Sequence, residues 1–444
     1  ISFTGSHSPL ETDYLPVSLG LKTQNALTSL GSSSLFFIRN ASGIKGNMDA
    51  AISTLLSLMQ NHSLFFFKTT RQPTGLIGKD GFVLIKVNCV QPERGGTNTD
   101  LVKSLIATIV NHPEGFTGEI VVADNTQGSG SLDWTESNAF NHSQSMQDVV
   151  DTFSSHKVST SLWDRIRSNV VNEYNQDDYS DGYVVNSTEN PITHLRVSYP
   201  KFKTKYGTYI SFKNGIWSTT TRSYNSRKLK VINVPVLKSH HDYGVTACVK
   251  NYMGVVSQRL TNAHNQIKYG AMGTEIAETR FPTLTILDAI WVNANPIEDG
   301  SDCGPPTPYE VASFTNVIGA GQDPVALEYL ASKYILIPAA IHKGHTSYSS
   351  LNPDYSPITP GLTESYYNYL ERAANELKKA GYQVTMNKTE MNVYLSVPGH
   401  VRNSFEDGFA SGSFSRWSGT RASSGETVVS HNYFASCVVV AMFS

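Results

Sequence analysis

Apolar and polar positions along the chain alternate between two periods. Gly81 to Asn88 (GFVLIKVN) is a continuous apolar run that turns polar at its end, and it reads as a buried strand. Glu119 to Asp124 (EIVVAD) reads as a second. Between them, Asp100 to Asn111 repeats at helical spacing, with Asp100 as the cap and Pro113 as the stop. Asn47 to Gln60 is a further helix by the same spacing. Strand–helix–strand order is the signature of a parallel α/β core.

A polar stretch then runs from about 126 to 227, rich in Ser, Asn, Asp and Tyr. It holds one helix, Ser145 to Ser154, and hairpin-like pieces near 193–213, and it reads as an insertion or lid. The core resumes with strands in Lys228–Leu237, Phe281–Trp291 and Phe314–Gly319. Asp323-Pro324 opens a helix through Leu336. Glu364 to Ala380 is a long amphipathic helix ended by Gly381, and strands follow in Gln383–Val397. The expected class is therefore α/β: a mostly parallel sheet flanked by helices, with a polar insertion and a short β-rich C-terminal segment. Residues 1–45 read as an irregular arm or edge strand, 46–400 as the core, and 404–444 as a β-rich piece too short for an independent sandwich.

Composition narrows the function classes. The 444 residues carry 35 Lys+Arg against 37 Asp+Glu, a balance that speaks against a phosphate-driven nucleic-acid binder. The 10% aromatic content excludes a disordered chain. No run of 18 apolar residues is present to cross a membrane as a helix. With 51 Ser, 38 Thr and 31 Asn and only 16% charged residues, the expected location is extracellular or cell-surface. The N-terminus has neither a starting Met nor a leader pattern, which fits a removed signal peptide or a chosen boundary. Glycosylation sequons begin at Asn40, Asn61, Asn141, Asn186 and Asn387, although chance alone gives roughly six in such a composition. Cys89, Cys248, Cys303 and Cys437 contain no C-x-x-C, so they allow three full pairings or remain buried thiols.

Candidate chemistry gathers at strand ends. After Leu237 the polar groups Lys238, Ser239, His240, His241 and Asp242 crowd together, followed by Gly244, Thr246, Lys250 and Asn251. Ligands of open parallel sheets bind beside the strands' carboxyl ends. Lysines there supply fixed positive charge, and imidazoles supply proton transfer or metal ligands. His240, His241, Lys250 and Asp288 are the candidate catalytic groups, with His240 and His241 as candidate ligands of a divalent metal. Lys86, Asn88, Lys238, Thr246, Asn251, Asp124 and Asp323 are candidate contacts of a small anionic ligand. A His pair at a strand end also reads as an ordinary hydrogen-bonded loop. Asp288 lies inside an apolar strand and needs a partner, for which Lys86 and Lys250 are the candidates. Asp323 has simple helix capping as its plainer role. His342-Lys-Gly-His345 reads as a solvated loop.

These segments resemble the large domain-of-unknown-function family whose members are often described as iron–sulfur-associated. Its members show a Lys-x-Asn strand end, here Lys86-Val-Asn88. Their central motif reads here as Asn233-Val-Pro235-Val-Leu-Lys238-Ser-His240, then Gly244-Val-Thr246-Ala-Cys-Val-Lys250-Asn251-Tyr-Met-Gly254. A strand with Asp288 and the run Gly321-Gln-Asp323-Pro324-Val-Ala326 complete the pattern. The resemblance covers roughly 80–340 and implies an α/β fold with a polar pocket at the central motif. Many relatives carry a cysteine-rich ferredoxin segment; this chain has none, so no iron–sulfur cluster is expected. His240 and Lys250 also have the ten-residue spacing of the nickel-pincer lactate racemases, where the Lys tethers a nickel cofactor. Val245–Val249 stands where that group has a Gly-rich run. Phe405 to Trp417 looks like the opening strand of secreted jelly-roll modules, which implies carbohydrate binding or adhesion.

Two functions remain open on this reading. One is a redox or isomerase chemistry on a small acid held by the Lys/His pocket. The other is an extracellular structural or adhesive subunit that forms oligomers or polymers through its terminal segments.

Overall fold

A computed structural model describes residues 33–300 and 302–398, together with the backbone of 426–430. Jelly-roll resemblance at Phe405–Trp417, and Cys437, lie outside these residues.

Eleven strands form the main sheet: β1 (Ser33–Arg39), β2 (Phe82–Lys86), β3 (Glu119–Asp124), β4 (Val158–Leu162), β5 (Leu229–Asn233), β6 (Val236–His240), β7 (Gly244–Thr246), β8 (Leu284–Asn293), β9 (Ser313–Gly321), β10 (Met391–Ser396) and β11 (Glu426–Ser430). The order is β11-β10-β1-β9-β8-β5-β2-β3-β4, and β6 pairs with β7 and β8. The run β8-β5-β2-β3-β4 is parallel, whereas β9 is antiparallel to both β8 and β1. β2 and β3 are buried along their whole lengths, which is why their sequences are apolar throughout rather than alternating.

Alternation still decides which layer each residue meets. Val83 and Ile85 face one apolar cluster with the helices Asp49–Asn61 and Thr99–Val110. Phe82 and Leu84 face the other, with the helices Ala271–Glu278, Pro324–Ala331 and Tyr366–Lys379. A five-stranded antiparallel sheet between Gly182 and Asn225 packs on that second face. Its Tyr183, Tyr199, Phe202 and Phe212 share one core with Phe82 and Leu84, so the polar stretch is anchored in the core rather than laid over it.

Several expectations need correction. Residues 33–39 are not an arm or an edge: Leu35 to Ile38 are buried between ladders to β9 and β10. The strand expected over Lys228–Leu237 is two strands, because Pro235 cannot donate to a ladder. β5 pairs with the start of β8, and β6 then continues along the same strand across a bulge. Asn98, not Asp100, caps the second helix by accepting from Leu101 N–H at 3.1 Å. The helix from Pro324 changes to a π turn over Ser332–Leu336, where Pro338 has no N–H to close the preceding turn. Pro324–His342 is long and apolar enough to cross a bilayer, but it is mostly buried inside the protein.

Candidate functional site

Parallel order brings the ends of β2, β3 and β6 to one side of the sheet, and most of the expected residues meet there. Lys86 and Asp124 end neighbouring strands and form a fully buried ion pair at 2.7 Å. Lys86 Nζ also donates to Val87 O at 2.6 Å, and Asp124 Oδ2 accepts from Cys89 N–H at 2.7 Å. Burial pushes the Asp124 carboxyl up against the pull of Lys86. Gly254 closes over the pair: a Cβ there would lie 2.1 Å from Asp124 Oδ1 and 2.4 Å from Lys86 Nζ.

A chain of buried amides runs alongside. Asn88 Nδ2 donates to Asn251 Oδ1 at 3.2 Å, and Asn251 Nδ2 donates to Asn233 Oδ1 at 2.8 Å. Asn233 Nδ2 ends the chain on Cys248 O at 2.9 Å. These bonds fix the loop that carries Lys250 against the ends of β2 and β5. Asn88 Oδ1 is left buried without a partner.

Lys238 and Lys250 are buried beside one another without a carboxylate in contact. Lys238 Nζ donates to Gly95 O at 2.5 Å. Lys250 Nζ has no hydrogen-bond or ion-pair partner among the described residues and lies 5.9 Å from the centre of the Tyr243 ring. Burial, reinforced by the charge of Lys250, brings Lys238 down to about 7. Burial brings Lys250 down to about 8, against the pull of Asp242 and Glu328. Thr246 stands opposite Lys238 in the β6–β7 ladder, with its hydroxyl buried and unpartnered. Gly244, at φ +76°, makes the tight return: a Cβ would lie 2.0 Å from Ser350 O.

His240 is buried, with its ring 4.9 Å from His241 and 5.7 Å from His264. Its Nδ1 accepts from Asp242 N–H at 3.1 Å, so the neutral ring carries its proton on Nε2. Burial first, and Lys250 second, hold His240 well below its ordinary value and His264 at about 4. His241 is exposed, and its Nδ1 donates to Gly304 O at 3.0 Å.

These residues bear on a divalent cation as follows. His240, Asp242 and His264 place one donor atom each within 4.8 Å of one another, and His241 is not in this set. The adjoining lysines make the position electropositive, and one nitrogen of His240 is already used by a backbone N–H. Two neutral imidazoles and a carboxylate are donors that suit a divalent cation, and the neighbouring charges of Lys250 and Lys238 act against one.

Other expected residues lie elsewhere. Asp288 does not meet Lys86 or Lys250. Its partners are Asn98 N–H at 2.8 Å, Ile290 N–H at 3.1 Å and Asn138 Nδ2 at 3.3 Å, because β8 runs past the loop 95–98 rather than past the lysines. Burial brings Asp288 up to about 6. Asp323 follows the end of β9, whose Gly321 pairs with Thr285 near the start of β8. There it accepts from Val325 N–H and Ala326 N–H at 2.9 Å, Thr385 N–H at 2.9 Å and Ser33 Oγ at 2.5 Å. His345 contacts Asp299 and, at 3.0 Å, Asn295 Oδ1. Asn61, Asn141 and Asn387 are exposed; Asn40 and Asn186 are half-buried, and Asn186 Nδ2 donates to Glu278 at 3.1 Å. Cys89, Cys248 and Cys303 are free thiols.

Glu328 and His264 were not legible as site residues. Glu328 Oε2 accepts from Val249 N–H at 2.7 Å and its Oε1 lies 2.9 Å from the Tyr369 hydroxyl, which also reaches Val245 O at 2.9 Å. It thus holds the turn that carries Lys250. Burial brings Glu328 up to about 7. Its distance of 79 positions from Val249 leaves no local pattern to find it by. His264 sits alone in a polar loop, and only the return of that loop to Tyr243, whose hydroxyl donates to His264 O at 2.8 Å, brings it close.

No curated protein and no solved structure matches the chain. Residues 217–333, which include β5 to β9 with Lys238, His240, Thr246, Lys250 and Asn251, match the family model described as a Domain of unknown function (DUF362).

Proposed function

We propose that the pocket at the carboxyl ends of β2 and β6 binds a small anionic ligand and carries out proton-transfer chemistry on it. One observation supports this above the others: Lys238 and Lys250 are buried together with no carboxylate in contact, while Lys86, close by, has one. Two neighbouring buried ammonium groups are costly unless a negative charge completes the site. Thr246 Oγ1 and Asn88 Oδ1 add unpartnered polar atoms that a bound ligand would satisfy. His240, neutral and with its Nε2 proton free of Asp242, is the group placed to donate to the ligand.

The test is a calorimetric and thermal-shift screen with phosphate, sulfate, acetate and small hydroxy and oxo acids. Binding by wild type that weakens at least tenfold in Lys238→Met and Lys250→Met supports the reading. Binding that is equal in all three proteins, or none by any anion, refutes it.

A further inference from the structure

Lys238 and Lys250 are not equivalent. Lys238 Nζ is tethered to a backbone carbonyl, which fixes its direction. Lys250 is a buried residue beside Lys238 whose Nζ has no hydrogen-bond partner among the described residues, and its backbone is held by Glu328 and by the amide chain of Asn251. An amine without a hydrogen-bond partner keeps its lone pair open to an electrophile, and loss of water favours the uncharged form of Lys250 against the pull of Asp242 and Glu328.

We propose that Lys250 is a nucleophile that forms an imine with a small oxo acid, whose carboxylate is held by Lys238. This rests on the anion-binding reading above and names the substrate class for that pocket. The lone pair of Lys250 Nζ attacks the carbonyl carbon, giving a carbinolamine. The C–O bond then breaks, the oxygen leaves as one water with both amine hydrogens, and a C=N bond remains. No oxidant or reductant is consumed. His240 Nε2–H and the Thr246 hydroxyl are the polar groups at hand for the carbonyl oxygen as it becomes a leaving hydroxyl. Lys250 has lowered basicity at about 8, so a usable fraction is unprotonated near neutrality.

The experiment uses the full chain with pyruvate or glyoxylate, followed by borohydride, which reduces an imine to a stable secondary amine. Peptide mass spectrometry then reads the modified lysine. The expected result is a mass gain on Lys250 equal to the oxo acid less one oxygen atom, at least tenfold above any other lysine. Lys250→Arg should abolish that adduct while the chain still unfolds cooperatively. Lys250→Met, a less bulky replacement, guards against a folding defect in the Arg variant. Acetate, which has no reactive carbonyl, is the binding control in calorimetry. If acetate and pyruvate bind but Lys250 is labelled no faster than surface lysines, the imine is overturned and the anion pocket stands. If no anion binds and no lysine is preferentially labelled, both fall. Labelling that moves to Lys238 also overturns the assignment.

Discussion

Lys86 and the Lys238–Lys250 pair lie at neighbouring strand ends, and both are buried, yet their surroundings are opposite. Lys86 has Asp124 at 2.7 Å, a carbonyl at 2.6 Å, and a glycine pressed over it, so its charge is complete and sealed. Lys238 has one carbonyl, and Lys250 has the face of a tyrosine. The first arrangement fixes structure. The second leaves charge and hydrogen-bonding capacity over, which is what a ligand site requires. A buried lysine is therefore informative only together with its partners.

The contrast can be broken from the structural side first. Lys86→Met leaves Asp124 buried and unpaired and should cost about 3–5 kcal/mol in urea unfolding. Lys86→Met with Asp124→Leu should recover most of that loss; an equal loss in the double variant would show that the pair does not act as a unit. Gly254→Ala should cost about 1–3 kcal/mol, because its Cβ meets both charges below contact distance.

Lys238→Met should behave in the opposite way. With no ligand added, removing a buried cation should leave stability unchanged or raise it slightly, by about 1 kcal/mol. A loss like that of Lys86→Met would place Lys238 among the structural groups. The same contrast has a pH signature. Between about 7 and the ordinary lysine value of 10.5, Lys238 is neutral when folded and protonated when unfolded. The unfolded chain then binds more protons, so this group makes stability rise with pH in that window. Asp288 works the other way: with a folded value of about 6 against 3.8, it makes stability fall as pH rises between those values. Denaturation curves across pH should show a shallower upper slope in Lys238→Met and a shallower lower slope in Asp288→Asn, the remainder coming from Lys250 and from Asp323 and Glu328.

The smallest effect concerns the turn under Lys250. Glu328→Gln keeps an acceptor for Val249 N–H and should cost only about 1 kcal/mol. It should also lower the pH at which Lys250 becomes reactive toward an acylating reagent, since Glu328 favours its charged form. An unchanged reactivity profile would remove Glu328 from the site.

Much of this was legible locally. β3 is Glu119–Asp124, as its apolar run indicates, and Lys238, His240, Thr246, Lys250 and Asn251, crowded after an apolar strand in the sequence, are buried in the fold. Strand ends are readable because a buried parallel strand must be apolar, and the first polar residues after it mark its carboxyl end. What the sequence could not determine was pairing across distance. Asp288 needed a partner, but only the path of β8 beside residues 95–98 gave it backbone and asparagine N–H groups in place of a lysine. Asp323 shares its pattern with the other candidate residues, yet the reversed direction of β9 brings it beside the start of β8, where it caps a helix. β1 became an interior strand because ladders formed on both of its sides. Which lysine is neutralised and which is left open was likewise a tertiary decision. Asp124 can reach Lys86 because their strands are neighbours, whereas Asp288 on β8, the strand beside β6, is taken by Asn98 N–H and Asn138.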